Sequence, residues 1–213
     1  MSGNTSKKDV ILIGSSGHAL VVYEILRSQD RRPIAFMAPA HQRHEGLDLP
    51  YWGSERESDA NQKLKKYDYF VAIGDNKIRA EVSQYLFERV NQPAVQAFAP
   101  SAYISPNAAI EAGVLVGTGA ILHPGSSVGT GSILNTGCVV DHDCQIMNFV
   151  HIGPGAVLCG NVTIGEGTFI GAGSTLIPGI KIGQWATIGA GSIVINDIPD
   201  GTVVAGNPAK PIR

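Results

Sequence analysis

The sequence predicts two joined architectures: an α/β domain with a parallel sheet, then a β-solenoid of three-cornered coils. Two observations carry this. From Ile104 to Pro199 an aliphatic residue recurs every six positions, sixteen times without a slip. Ahead of it, over residues 8 to about 98, apolar strand-like runs alternate with helical stretches. A short fixed period means that each repeat buries its apolar face on its neighbours. Strand–helix alternation means a parallel sheet with helices on both faces.

In chain order, Asp9-Val-Ile-Leu-Ile-Gly14 is a buried strand, and Ser15 to Ala19 turns into a helix reaching about Ser28. Pro33 to Met37 is a second strand and Leu49 to Trp52 a short third one. Glu55 to Lys66 reads as helix, Asp68 to Ile73 as strand, Lys77 to Val90 as helix, and Ala94 to Ala99 as a last short strand. Pro100 marks the crossing, so the predicted division is 1–99 and 100–213.

Two loops stand at carboxyl ends of strands, where open α/β sheets bind ligands. One is Gly14, Ser15, Ser16, Gly17 and His18; the other runs Gly74, Asp75, Asn76, Lys77, Ile78 and Arg79. The first is not the Gly-x-Gly-x-x-Gly dinucleotide fingerprint. It reads either as a tight turn that needs glycine or as an anion site on free helix N–H groups. His18 is a phosphate donor or a helix-cap residue. Arg79, one turn into its helix, reaches a diphosphate or is a solvated charge.

The hexads run through Ile104, Ile110, Val116, Leu122, Val128, Leu134, Val140, Ile146, Ile152, Leu158, Ile164, Ile170, Leu176, Ile182, Ile188 and Val194. The fifth position is small or apolar throughout. The fourth is Gly, Asn or Asp in fourteen of sixteen cases, with Phe149 and Trp185 the exceptions. Those residues tolerate left-handed backbone angles. Each hexad is therefore a short strand and a corner, with the first residue inward as a large aliphatic and the fifth as a small filler. Three hexads close a coil of eighteen residues, which rises about 4.8 Å. No loop interrupts the register, so any site must use corners, faces or other subunits.

A net charge of −2, with 16% charged residues, gives no basic surface for nucleic acid. No run of eighteen apolar residues suggests a membrane span. Met1 to Asp9 is polar and does not read as a signal peptide. Three cysteines lack metal-ligand spacing. Cys138 and Cys144 fall at inward fifth positions, and a cytoplasmic location is the default.

The repeat also shows which residues are out of place. In Val140-Asp141-His142-Asp143-Cys144, His142 and Asp143 stand on a corner and do not point inward. A His beside a carboxylate suits a general base; the alternative is an exposed polar corner. His123, nineteen residues earlier, lies on the same edge, one coil below. His151, nine residues later, lies half a coil away on the opposite side, so a site using both needs two subunits.

The first loop, the run Asn135-Thr-Gly-Cys-Val-Val-Asp-His142-Asp-Cys and the ending Ala205-Gly-Asn-Pro-Ala-Lys210 together resemble the sialic acid O-acetyltransferase-like family of hexapeptide-repeat acyltransferases. The nearest type is the bacillosamine-pathway N-acetyltransferases. The resemblance covers nearly the whole chain. It implies a Rossmann-like nucleotide-sugar domain and a left-handed parallel β-helix, the handedness being an exception to the usual crossover rule. It implies a homotrimer with shared sites, acetyl-CoA as co-substrate, and acetyl transfer to the 4-amine of a UDP-linked 4-amino-4,6-dideoxy sugar for surface glycans or glycoproteins.

By the same resemblance, His142 is the base, Asp143 its coupled acid, and Gly160 an N–H donor to the thioester oxygen. Asn135 lies near the sugar, and His151 is a second active-site histidine on the coenzyme side. Gly173, Ile177, Ala190 and Pro208 line the acetyl-CoA groove, while Lys181 and Lys210 meet its phosphates. The loops Gly14–His18 and Gly74–Arg79 hold the nucleotide diphosphate. Many relatives end the second strand with paired acids; here Ile34-Ala-Phe-Met-Ala38 has none. This leaves UDP and dTDP both open. The rival readings are a sugar or sialic acid O-acetyltransferase using the same base and a purely structural trimer. A zinc hydratase would need a His-x-x-x-x-His pair, and a sugar-nucleotidyltransferase would need a longer α/β domain; this chain has neither.

Overall fold

The computed structural model describes residues 9–212. The polar stretch 1–8, read above as no signal peptide, lies outside the described residues. Strand β1 (Asp9–Ile13) is central in a three-stranded parallel sheet, flanked by β2 (Arg32–Met37) and β3 (Asp68–Val71). Alternate side chains of a strand point to opposite faces, and both faces here are covered. Val10, Leu12, Phe36 and Phe70 pack on α1 (Gly17–Ser28) through Ala19, Val22 and Leu26. Ile11, Ile13, Met37 and Val71 pack on α2 (Ala60–Lys66) and α3 (Asn76–Val90) through Leu64, Val82 and Leu86.

Three sequence expectations need correction. Leu49–Trp52 is not a strand but one parallel bridge, Phe36 to Tyr51, at the sheet edge. The helix expected from Glu55 begins at Ala60, because the preceding turn closes on itself: Ser54 N–H donates to Glu57 Oε1 at 2.9 Å and Arg56 N–H to Ser54 Oγ at 3.2 Å. The strand expected at Ala94–Ala99 is β4 (Ala97–Phe98), and it pairs with Leu115–Val116 rather than with the α/β sheet. Phe98 stands six residues before Ile104, so the solenoid register opens one strand earlier than the aliphatic repeat shows.

The solenoid is a prism with three parallel-stranded faces. The first face carries β4 and then Leu115–Val116, Ile133–Leu134, His151–Ile152, Phe169–Ile170, Thr187–Ile188 and Val203–Ala205, with Lys210–Pro211 added antiparallel. Six strands from Tyr103–Ile104 to Ile193–Val194 make the second, and five from Ala109–Ile110 to Lys181–Ile182 make the third. Partners such as Ile133, His151 and Phe169 are eighteen residues apart, one coil. First-position residues are buried from Val116 to Val194, and fifth-position residues from Val114 to Ile198, including Cys138 and Cys144. Ser126, Ser132, Thr168 and Ser174 are buried too; each hydroxyl donates to a carbonyl fifteen residues on, at 2.6–2.9 Å.

Phe149 and Trp185, the two exceptions at the fourth position, adopt the same left-handed corner as the glycines, with φ of 55° and 53°. Room for each ring comes from a glycine one coil below: a Cβ on Gly131 would meet the Phe149 ring, and one on Gly167 the Trp185 indole. The third-position N–H stays out of the corner-to-corner ladder. Proline, which has no N–H, therefore stands there at Pro106, Pro124, Pro154 and Pro178.

The outward sides of the faces differ. The first is covered at its start by α1, with Leu115 and Ile133 buried against Val22 and Leu26. The third presents Ala109, Ser127, Gln145, Thr163 and Lys181. The second presents Tyr103, Ile121, Val139, Val157, Thr175 and Ile193, an uncovered and mostly aliphatic column.

Candidate active site

The corner 141–143 joins the second and third faces. Asp143 sits at φ 59°, a left-handed angle that Asp accepts more readily than most residues. Its Oδ2 lies 2.8 Å from His142 Nδ1. Asp141 Oδ1 accepts the His142 N–H at 2.7 Å, so an acid holds each end of the residue. A carboxylate on Nδ1–H leaves the Nε2 lone pair free. The Asp143 hydrogen bond, followed by the nearby Asp141 charge, raises the His142 pKa.

Gly160 stands one coil above His142. An added Cβ there would lie 2.5 Å from Nε2, so the imidazole rests against the bare Cα. Gly160 C=O accepts from Gly179 N–H at 3.0 Å, while its own N–H stays out of the ladder. Base nitrogen and backbone donor thus share one corner. His123 lies below Asp141 as the register requires, its ring 6.1 Å from that of Tyr103.

A second cluster lies on the other side of the prism. His151 projects from the first face toward the α/β half and is 9% exposed. Asn135 Nδ2 is 3.0 Å from His151 Nε2, and Asn135 Oδ1 accepts the Thr136 N–H at 2.8 Å. His151 Nδ1 faces Gly74 O at 3.4 Å. The His18 ring lies 6.5 Å from the His151 ring, and its Nε2 is buried without a partner. Burial, with the Arg79 charge next in size, pushes both imidazoles down to about 4, so both are neutral near pH 7. A cleft of about 610 Å³ opens here, lined by His18, Gly74, Lys77, His151, Phe169 and Trp185. Lys77 belongs to the second predicted loop, whereas Phe169 and Trp185 were not expected at a site; an aromatic at an otherwise glycine-like corner was the available signal for Trp185.

The two predicted loops do meet, with Gly74 beside the His18 ring. Gly14 is required by packing: at φ 122° a Cβ would strike Ala72 O at 2.6 Å. Ser15 and Ser16 border a separate cleft of about 430 Å³ with Ala38, Gln42, Arg43 and His44, at the carboxyl ends of β1 and β2. Ser16 occupies the N-cap position of α1 without a side-chain cap bond, and Gly17 opens the helix.

The second loop departs from expectation. Asp75 caps α3, accepting the Ile78 N–H at 2.9 Å. Asn76 Nδ2 donates to Gly167 O and Thr168 O at 3.0 and 3.2 Å. Arg79 is 2% exposed, and its donors are taken by Gly131 O, Ile73 O, Gly74 O, Asn76 Oδ1 and Phe149 O. Arg79, buried with every donor taken, is therefore not the expected diphosphate contact, while Asp75 and Asn76 still line the cleft beside His18. The guanidinium binds backbone carbonyls instead.

The expected coenzyme residues are split in one chain. Gly173 and Ala190 stand exposed on the edge between the first and second faces. Ile177 lies on the edge between the second and third, one coil above Cys159, the neighbour of Gly160. Lys181 is on the third face beside Asp197, whose Oδ1 accepts its N–H at 2.7 Å. Pro208 follows a cis peptide bond, and Lys210 pairs with Ala205. Among the described residues, no three His, Cys, Asp or Glu side chains converge as metal ligands, and no helix is long and apolar enough to cross a membrane.

An unbroken hexad prism joined to a small parallel α/β domain is the architecture of a hexapeptide-repeat transferase. Residues 9–86 match the PglD N-terminal domain family. Residues 143–177 and 161–196 match the bacterial transferase hexapeptide family, and 108–142 the hexapeptide repeat of succinyl-transferase. PerB from Caulobacter crescentus, in complex with CoA and GDP-perosamine, is 37% identical, with a TM-score of 0.88 over 96% of this chain and 97% of that one. A histidine-to-asparagine variant of perosamine N-acetyltransferase from the same organism, with the same two ligands, gives 36% and 0.89 over the same shares. The acetyltransferase domain of PglB from Neisseria gonorrhoeae, in complex with acetyl coenzyme A, is 34% identical, with a TM-score of 0.88 over 97% of this chain and 100% of that one. The chain belongs to the family of hexapeptide-repeat sugar acetyltransferases with a PglD-type N-terminal domain.

Proposed function

We propose that the protein moves an acetyl group from acetyl-CoA to the 4-amine of a nucleotide-linked 4-amino-4,6-dideoxy sugar, with His142 as general base. The carrying observation is the corner itself: a carboxylate-tethered imidazole whose free nitrogen abuts Gly160. Relatives over a third identical are sugar N-acetyltransferases bound to CoA and a nucleotide amino sugar, which supports the acceptor class. The neutral amine attacks the thioester carbonyl carbon, and Nε2 takes its proton. The oxyanion meets the Gly160 N–H, worth about 10²- to 10³-fold in rate for one such donor. The C–S bond then breaks and CoA leaves. Cys144 is buried and turned inward, so direct transfer is favoured over a covalent enzyme intermediate.

The working unit in this reading is a homotrimer. Its support is the uncovered aliphatic second face, bounded by the edge of Asn135, Gly173 and Ala190 on one side and that of His142, Gly160 and Ile177 on the other. Packing three such faces about a threefold axis sets the first edge of each copy against the second edge of the next. The His151–Asn135 cluster of one copy then faces His142 of its neighbour, and its cleft takes the sugar side of the nucleotide sugar. Acetyl-CoA lies between the copies along the later coils, beside Gly173, Ile177 and Ala190. The cleft beside Ser15 and Ser16 takes the nucleoside, without the acids many relatives carry after β2.

The deciding assay offers acetyl-CoA with UDP-, dTDP- and GDP-linked 4-amino sugars, and with free sialic acid. Acetylation of a nucleotide-linked amine supports this reading; acetylation of the free sugar hydroxyl alone overturns it in favour of an O-acetyltransferase.

The pH profile tests the base. Only neutral His142 accepts a proton, so kcat/KM rises with pH through its raised pKa. Asp143→Asn removes the main cause of that rise. The limb should move down toward the ordinary imidazole value of about 6.5, with a lower plateau as the ring loses its tether. An unmoved limb would assign it to another group.

A further inference from the structure

Arg79 is the largest fully buried side chain among the described residues, and it touches three separate parts of the chain. Its five N–H donors, all that a guanidinium has, meet five acceptors. Nε donates to Gly131 O at 2.7 Å, Nη1 to Ile73 O and Gly74 O at 3.0 and 2.9 Å, and Nη2 to Asn76 Oδ1 and Phe149 O at 2.8 and 3.0 Å. Gly131 and Phe149 are the same corner in successive coils, and Asn76 grips Gly167, the next one up. The α/β half is thus docked along one edge by main-chain carbonyls.

Gly74 O is shared. It accepts from Arg79 and faces His151 Nδ1, and since it can only accept, Nδ1 carries the proton. Nε2 is left as the acceptor for Asn135 Nδ2, whose amide is itself oriented by the Thr136 N–H. A single relay therefore runs from a saturated, immobile cation to the polar wall of the cleft.

We propose that Arg79 is a positioning residue: by fixing the Gly74 carbonyl it sets the Nδ1–H tautomer and ring orientation of His151, and it does not contact substrate phosphate. The catalytic consequence rests on the reading that this cleft takes the sugar side of the nucleotide sugar. The tautomer consequence does not.

The test is imidazole and guanidinium ¹⁵N NMR of the full chain, wild type and Arg79→Lys, alongside steady-state kinetics. In wild type, His151 should show a protonated Nδ1 and a bare Nε2. Saturating UDP or GDP should leave the Arg79 Nε–H signal in place. In Arg79→Lys, with at most three donors and no planar fork, the His151 signals should move to exchanging tautomers. The kcat/KM for the nucleotide sugar should fall by about 10- to 100-fold, the scale of a small misplacement, with KM for acetyl-CoA unchanged. A folded Arg79→Lys protein with wild-type His151 signals overturns the proposal. So does a nucleotide-induced shift at the Arg79 Nε–H, a measurement that needs no variant to fold. Altered His151 signals in a protein that acetylates no nucleotide sugar would uphold the positioning role and sink the functional reading alone.

Discussion

Replacing His142 with alanine should lower kcat for acetyl transfer by about 10²- to 10⁴-fold, the usual contribution of a positioned general base. KM for either substrate should change little, because the side chain acts on the proton that leaves the amine. The fold should not notice: the His142 side chain is 59% exposed and its hydrogen bond partner is the adjacent Asp143. Surface substitutions of that kind usually stay within about 0.5 kcal/mol, so the melting temperature serves as the control. A variant that keeps wild-type kcat would remove His142 from the mechanism.

Gly160→Ala should be nearly as damaging for a different reason. The new methyl would lie 2.5 Å from Nε2 and 2.6 Å from Cε1 of His142, so the imidazole must swing off the corner. A displacement of about 1 Å from productive geometry costs about 10²-fold in rate. Stability should hold, because what must move is an exposed ring. At Gly171 and Gly165, by contrast, a Cβ would strike the backbone of the next coil, at Ala190 and Gln184 respectively. Comparing melting curves of the Gly160 and Gly171 alanine variants separates the two kinds of glycine. A Gly160→Ala enzyme with full activity would show that the base works from another rotamer.

The solenoid was legible because its physics repeats: a closed prism needs one large and one small inward residue per hexad, and the chain meets that need from Val114 to Ile198. The His–Asp corner was legible for the same reason, as polar side chains where packing asks for nothing. Arg79 was misread because its acceptors are carbonyls, which every residue carries and which leave no mark in a sequence. The edge strand Ala97–Phe98 was assigned to the wrong half because two residues hold too little pattern to show their partner. That Phe149 and Trp185 still turn left-handed corners was hidden for a different reason. The glycines that make room for them lie eighteen residues earlier, at Gly131 and Gly167.

Half a coil separates His142 from His151 along the chain, and the two project from different sides of one prism. The account joins them only across copies, so complementation between two disabled chains tests it most directly. His142→Ala and His151→Ala proteins are each assayed alone, then unfolded, mixed in equal amounts and refolded together. If each site takes His142 from one copy and His151 from the next, random mixing restores one site in four, about a quarter of wild-type activity on the statistical assembly of a closed ring. Two inactive parents whose mixture stays inactive, with mixed trimers present, would place both histidines' work within one chain and contradict the account.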